Sequence, residues 1–144
     1  MVEVSLRVPV PVDQVFTVLA DGWSYASWVV GAAHIREVDA TWPAPGARIH
    51  HSVGPWPLQV KDVTTVATSR PPHELELEAR MWPLGAATIR FELTEENGET
   101  KIRMHEKVTR GPLSLLPEQA QAVMLVPRNR ESLHRLADLA VGRK

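Results

Sequence analysis

Apolar and polar residues alternate along the first ten positions of the chain. The apolar members of this series are Val2, Val4, Leu6, Val8 and Val10. Successive side chains of a strand point to opposite faces, so a period of two places all of them on one face. The pattern predicts a first strand from Val2 to Val10 with one buried face.

The period changes to that of a helix directly after this strand. Pro11 fits the start of a helix, and Asp21 with Gly22 fits its end. Between them the apolar residues recur at helical spacing, at Val12, Val15, Phe16 and Leu19. A second short helix is predicted for Trp23 to Val30, with Trp28 packed inward.

The middle of the chain is predicted to form strands separated by turns. A strand is expected from about His34 to Thr41, and clusters of proline and glycine mark the later breaks. Two segments alternate with apolar residues at Leu75, Leu77, Ala79 and Met81, and at Ala87, Ile89, Phe91 and Leu93. Asn97-Gly98 predicts a type I′ hairpin turn, because both central residues of that turn have positive φ.

The longest helix is predicted at the C-terminal end. Pro117 fits its start, and a stripe of residues recurs at helical spacing almost to the last residue. This stripe consists of Ala122, Val126, Asn129, Leu133, Leu136 and Ala140. Pro127 lies inside the helix and crowds the carbonyl of Val123, so we expect a kink or a short break there.

This order of elements has few three-dimensional solutions. The apolar face of the sheet needs a cover, and the last helix is the only large candidate. We therefore expect an α+β fold, with a curved antiparallel sheet of about seven strands wrapped around the C-terminal helix. The 144 residues are expected to form one domain, residues 1–144.

Composition narrows the classes of function. The sequence has no cysteine, which rules out thiol nucleophiles, disulfides and cysteine metal sites. Its formal net charge of -1 provides no excess positive field for nucleic acid. Charges at Glu3 and Arg7 do not fit a signal peptide, and no apolar run approaches membrane-spanning length. We expect a cytoplasmic protein that neither binds nucleic acid nor inserts into a membrane.

With this order in place, the sequence resembles the START-like or SRPBCC superfamily, which includes polyketide cyclases and dehydrases, pollen-allergen-type proteins and lipid-transfer domains. The resemblance covers essentially the whole chain and is closest to small bacterial members. It rests on Asp21-Gly22-Trp23 to Trp28-Val29-Val30-Gly31, on Trp42-Pro43 through His51-Ser52-Val53-Gly54, and on Arg128-Asn129-Arg130-Glu131. It implies a helix-grip fold with a cavity for a hydrophobic or amphipathic small molecule, sometimes with catalysis of ring closure or dehydration.

Three polar residues are candidates for chemistry in such a cavity. Glu106 interrupts the apolar series of the last strand on its inward face. Asn129 would bind a ligand carbonyl, the Glu106 carboxylate, or a backbone carbonyl released by Pro127. His50 and His51 are adjacent on a strand, so at most one faces the cavity, and His51 is our candidate acid or base. The alternative for each is a structural role, with Glu106 satisfied at a bulge or by solvent.

The expected cavity wall is apolar. We predict a closed or narrow-mouthed pocket lined by Trp28, Met81, Phe91, Met104 and Val126. Tryptophan-proline pairs at Trp42, Trp56 and Trp82 indicate rings packed against turns at the rim. The sequence has no phosphate-binding glycine loop, serine elbow or zinc helix, so no cofactor and no metal is implied.

These features leave three hypotheses. The first is a noncatalytic carrier or binding protein for a small hydrophobic ligand. The alternative is a polyketide cyclase or dehydratase, a lyase or isomerase in which Glu106 acts as base while Asn129 or a histidine polarises a carbonyl. A third is an interaction protein that forms a homodimer through its tryptophan-rich rim or an edge strand.

Overall fold

One antiparallel sheet forms the frame of the protein. The computed structural model describes residues 1–30, 32–53, 60–81 and 85–142. Its strands are β1 (Val2–Val8), β2 (Ala32–Val38), β3 (Arg48–Val53), β4 (Val60–Arg70), β5 (Glu74–Met81), β6 (Gly85–Glu96) and β7 (Glu99–Arg110). They lie in the order β1-β7-β6-β5-β4-β3-β2, so the first strand of the chain pairs with the last. This arrangement confirms the predicted seven-stranded antiparallel sheet.

The helices occupy the predicted places in the chain. They are α1 (Val12–Ala20), α2 (Tyr25–Trp28), which follows a 3₁₀ turn at Gly22–Ser24, and α3 (Glu118–Gly142), which follows a 3₁₀ turn at Pro112–Leu115. The helix α3 packs against β1, β7, α1 and α2. None of the helices within the described residues combines the length and the hydropathy needed to cross a bilayer.

Three elements end earlier than predicted. The first strand ends at Val8, because Pro9 and Pro11 lack amide hydrogens and the amide of Val10 turns back to the carbonyl of Val8. The second helix ends at Trp28, since the backbone is already extended at Val29. The second strand ends at Val38, where the following turn begins with Trp42 donating to the Asp39 carbonyl.

The predicted break at Pro127 is absent, and α3 is continuous through that residue. Pro127 and Val123 are both exposed, so the carbonyl that proline leaves without an amide partner faces the solvent side of the helix. Water on that side satisfies a carbonyl at little cost, which explains why the helix tolerates the proline.

The hydrophobic core lies between the sheet and the three helices. Phe91, Leu75 and Leu77 from the sheet meet Leu133 and Leu136 from α3, and all are at most 1% exposed. Burial of each such side chain contributes about 1.5–3 kcal/mol. The buried residues of α3 are Leu125, Asn129, Ser132, Leu133, Leu136 and Ala140. Two of these six, Asn129 and Ser132, are polar, and both lie in the middle of the helix.

Two glycines with positive φ form a matched pair for a test of the turns. A Cβ at Gly85 (φ +124°) would clash with the carbonyl oxygen of Arg110, whereas one at Gly98 (φ +79°) would meet nothing within 4 Å. Asn97 and Gly98 both have positive φ, as the predicted hairpin turn requires.

We expect Gly98→Ala to lower the free energy of unfolding by about 1–2 kcal/mol, the cost of left-handed backbone for a residue with a Cβ. Gly85→Ala should cost more, because the β7 backbone must also move. Urea denaturation of both variants measures the difference. Equal losses would contradict the close approach at Gly85.

Candidate functional site

Glu106 is buried on β7, the strand next to the edge strand β1, beneath α3. Its register partners are Val2 on β1 and Ile89 on β6, and its side chain is fully inaccessible to solvent. The Nδ2 of Asn129 donates a hydrogen bond to Glu106 Oε1 at 2.8 Å. Of the three partners considered for Asn129, the structure therefore has the carboxylate, and no bulge or solvent contact satisfies Glu106.

Arg128 adds a positive charge beside this pair. Its Nη1 lies 3.7 Å from Glu106 Oε1, and its Nε donates to the carbonyl of Val30 at 3.1 Å. Ser132 Oγ accepts a hydrogen bond from the amide of Val30 at 3.1 Å. The guanidinium offsets part of the cost of burying a carboxylate, and Val30 is held to α3 by two hydrogen bonds.

Three polar atoms around this cluster are buried without a hydrogen-bond partner among the described residues. They are Glu106 Oε2, Asn129 Oδ1 and the indole Nε1 of Trp28. A buried polar atom that is left unpaired costs about 1–3 kcal/mol. Two acceptors and one donor in the same region form an arrangement that a bound polar group would complete.

A small cavity lies beside these atoms, between the sheet and α3. Trp28, Phe91 and Met104 from the predicted wall line it, together with Tyr25 and Asn129. Its volume of about 10 Å³ is room for one water molecule. The ring of Trp28 stands edge-on to those of Tyr25 and Phe91, with centroids 5.4 Å and 5.6 Å apart. The wall is therefore aromatic on its α2 side.

The other predicted wall and rim residues that the structure describes lie away from this cavity. Val126 is half-buried in a shallow depression beside Met1 and Val2. The side chain of Met81, and all of Trp56 and Trp82, lie outside the described residues. Trp42 is a core anchor whose Nε1 donates to the Leu19 carbonyl at 3.0 Å.

His51 is the histidine of the adjacent pair that faces inward. Its Nε2 lies 2.9 Å from Thr64 Oγ1, and its ring stacks on Tyr25 with centroids 5.8 Å apart. His50 points to the other face, where its Nε2 lies 3.3 Å from Asp39 Oδ1. Among the described residues no hydrogen bond joins His51 directly to Glu106 or Asn129, so the three candidates do not form one contiguous triad.

Burial shifts two titratable groups near the cavity. Desolvation raises the pKa of Tyr25, against the hydrogen bond between Tyr25 and Thr64 and the charge of Arg128, while Glu106 raises it further. Desolvation also lowers the pKa of His51, opposed by Asp62 and reinforced by Arg36 and His50. Both groups are therefore held in their neutral forms near neutral pH.

Residues 1–141 match the family model described as polyketide cyclase / dehydrase and lipid transport. The chain belongs to this family. The resemblance stated from the sequence is thereby confirmed. No curated protein matches the chain.

Several solved structures have the same fold. Ara h 8.0201 aligns with a TM-score of 0.75 at 12% identity, over 98% of this chain and 97% of that one. The di-domain ARO/CYC StfQ from the steffimycin biosynthetic pathway gives 0.75 at 13% identity, with 97% of this chain spanning 50% of StfQ. NE0264 from Nitrosomonas europaea gives 0.70 at 15% identity, over 96% and 93% of the two chains. At such identities the likeness shows the fold alone.

Three residues of the site were not singled out from the sequence. Tyr25 is the only tyrosine of the chain, and Thr64 is a polar residue on the inward-facing series of β4. Arg128 lies within a segment that supports the family resemblance, beside Asn129. A polar residue at an inward position of a strand is the signal that could have identified Thr64, as it identified Glu106.

The depressed pKa of His51 predicts a loss of stability in acid. As the pH falls below about 6.5, the unfolded chain protonates this histidine while the folded chain does not, so the free energy of unfolding decreases. Above that pH the contribution is constant. Denaturation of the wild type and of His51→Gln from about pH 5 to about pH 8 isolates this effect, since the substitution removes the imidazole and leaves the rest of the sequence unchanged.

The wild type should lose stability relative to His51→Gln below about pH 6.5. A stability difference that does not change with pH would show that folding leaves the titration of His51 unaltered.

Proposed function

We propose that this protein binds a small amphipathic molecule between the sheet and α3. The apolar part of the molecule lies against Trp28, Phe91 and Met104, and its polar end lies at the Glu106–Asn129 pair. The observation that supports this proposal is the set of unpaired, buried polar atoms beside an apolar cavity. Carriage of the ligand, without chemical change, is the role that requires fewest further assumptions.

Burying the polar groups of Glu106 and Asn129 costs free energy of folding. An aliphatic side chain at position 106 would continue the series of Ile102, Met104 and Val108 without burying a charge. Replacement of buried ionic groups by apolar ones is commonly neutral or stabilising. A pair that lowers stability, and still leaves one oxygen on each partner unpaired, is better explained by a bound group than by folding.

The size of the cavity makes a further requirement. A site for a small organic molecule needs about 300 Å³ or more, whereas the space lined by the described residues has about 10 Å³. Ligand entry therefore requires the walls to separate. The contacts between Val30 and α3, through Arg128 and Ser132, hold one such wall and are expected to rearrange on binding.

Catalysis as a cyclase or dehydratase is the second candidate. The free Oε2 of Glu106 favours it, because a carboxylate oxygen without a partner is available to accept a proton from a substrate. The Nδ2 of Asn129 donates one of its two N–H groups to Glu106, so the carbonyl would have to be polarised by the other N–H or by a second residue. Binding is placed first because it requires no proton transfer.

The proposal is tested by replacing the buried pair with Glu106→Leu and Asn129→Leu together. We expect this variant to be as stable as the wild type or more stable, by up to about 4 kcal/mol, because unpaired polar atoms and a buried charge are removed. Its affinity for the amphipathic probe 2-naphthol should fall about fivefold or more. Urea denaturation and isothermal titration calorimetry give the two quantities.

The matched control is Lys107→Leu with Arg130→Leu, which changes the next residue on each element but on exposed faces. Its affinity for 2-naphthol should equal that of the wild type. A large loss of stability in the Glu106–Asn129 variant, with unchanged affinity, would assign the pair to folding and contradict the proposal.

A further inference from the structure

A second group of polar side chains, linked by hydrogen bonds, lies between α2 and the inner face of the sheet. The hydroxyl of Tyr25 lies 3.4 Å from Thr64 Oγ1, and Thr64 Oγ1 lies 2.9 Å from Nε2 of His51. All three residues are buried, with exposures of 4%, 0% and 4%. We call this group of three residues, Tyr25, Thr64 and His51, the tyrosine arm.

The arm and the Glu106–Asn129 pair each contribute one residue to the wall of the same cavity. Tyr25 lines it from α2, and Asn129 lines it from α3, where the charged side chain of Arg128 lines it as well. A molecule in the widened cavity would therefore meet two polar regions rather than one.

The protons available in the arm leave the Tyr25 hydroxyl able to form one further hydrogen bond. The Thr64 hydroxyl has one proton, which it can donate either to Tyr25 or to His51. If His51 donates to Thr64 and Thr64 donates to Tyr25, the phenolic proton is free to donate to a carbonyl. If the direction is reversed, the phenolic oxygen is free to accept from a hydroxyl.

The far end of the arm does not fix this direction. Nδ1 of His51 is buried and has no hydrogen-bond partner among the described residues. A partner at Nδ1 would determine the tautomer of the ring, and hence which way the arm donates. Without one, the arm can take the direction that an oxygen in the cavity requires. Since burial raises the pKa of Tyr25 and lowers the pKa of His51, both directions use uncharged groups.

We infer that the Tyr25 hydroxyl is a second ligand-binding group, and that the ligand has an apolar body with a hydroxyl or carbonyl oxygen at each end. One oxygen binds at Glu106 and Asn129, and the other binds at Tyr25. This inference rests on the proposed function, because it requires a molecule between the sheet and α3. Thr64 and His51 are positioning residues that orient the phenolic proton.

The test compares two rigid probes, 2-naphthol with one hydroxyl and 2,6-dihydroxynaphthalene with a hydroxyl at each end. The wild type should bind the diol about tenfold more tightly, the effect of one added hydrogen bond. Tyr25→Phe keeps the ring against Trp28 and His51 but removes the hydroxyl, so it should bind both probes equally.

Three substitutions on β4 separate a positioning role from a structural one. Thr64→Val keeps the shape but breaks the arm, and should reduce the preference for the diol, whereas Thr64→Ser should restore it. Thr65→Val changes the neighbouring threonine, whose side chain points to the opposite face, and should leave the preference unchanged.

The outcomes distinguish this inference from the proposed function. Binding of 2-naphthol without a preference for the diol, or a preference that survives in Tyr25→Phe, would overturn the role of Tyr25 and leave the binding function standing. If neither probe binds the wild type, the proposed function fails and the inference fails with it. A preference for the diol that is lost in Tyr25→Phe, reduced in Thr64→Val and kept in the other variants would support the role of the tyrosine arm in binding.

Discussion

The inner face of the sheet is apolar over most of its area and has to be shielded from water, and α3 is the long element that shields it. The helix is held there by Leu125, Leu133, Leu136 and Ala140 against β1, β7 and the two N-terminal helices. Once this packing is set, the position of every other residue of α3 follows from helical geometry. Asn129 and Ser132 fall on the buried side, and Asn129 is directed at Glu106.

This constraint explains why polar side chains occupy the interior without disrupting it. Glu106, Asn129 and the three residues of the tyrosine arm occupy five buried positions, and each has at least one hydrogen bond. The surrounding apolar contacts maintain the fold, whereas we expect the buried polar groups to lower its stability. In proteins, polar groups that reduce stability in this way are concentrated at sites that bind or transform other molecules.

Much of the fold could be predicted from the sequence because its signals are local. The alternation at Leu75 to Met81 and the Asn97-Gly98 turn depend on neighbouring residues, and both were identified. The end of β1 was missed although Pro9 was visible, because the apolar series continues to Val10 on the far side of that proline. Of the kink or short break expected at Pro127, the break is absent, since the sequence does not reveal which side of a helix faces solvent; the kink stays a prediction.

The site was predictable only in part, because its contacts join distant positions. Glu106 was identified as a polar interruption of an apolar series, but its contact with Asn129 spans 23 residues and was one of three alternatives. The contact between Tyr25 and Thr64 spans 39 residues, and no local pattern predicts it. Val126 was assigned to the cavity from its stripe alone, and the stripe does not reveal that this part of α3 lies beside Met1 and Val2.

The central claim is that a ligand enters between the sheet and α3 at the Glu106–Asn129 pair. The most direct measurement is a ¹⁵N NMR titration with 2,6-dihydroxynaphthalene that follows the side-chain amide of Asn129 and the indoles of Trp28 and Trp23. Trp28 is buried in the cavity wall, whereas Trp23 is 60% exposed and serves as an internal reference. We predict that the Asn129 amide and the Trp28 indole shift together in a saturable manner while the Trp23 indole does not. Shifts of Trp23 and other exposed groups alone, with Asn129 and Trp28 unchanged, would contradict this account.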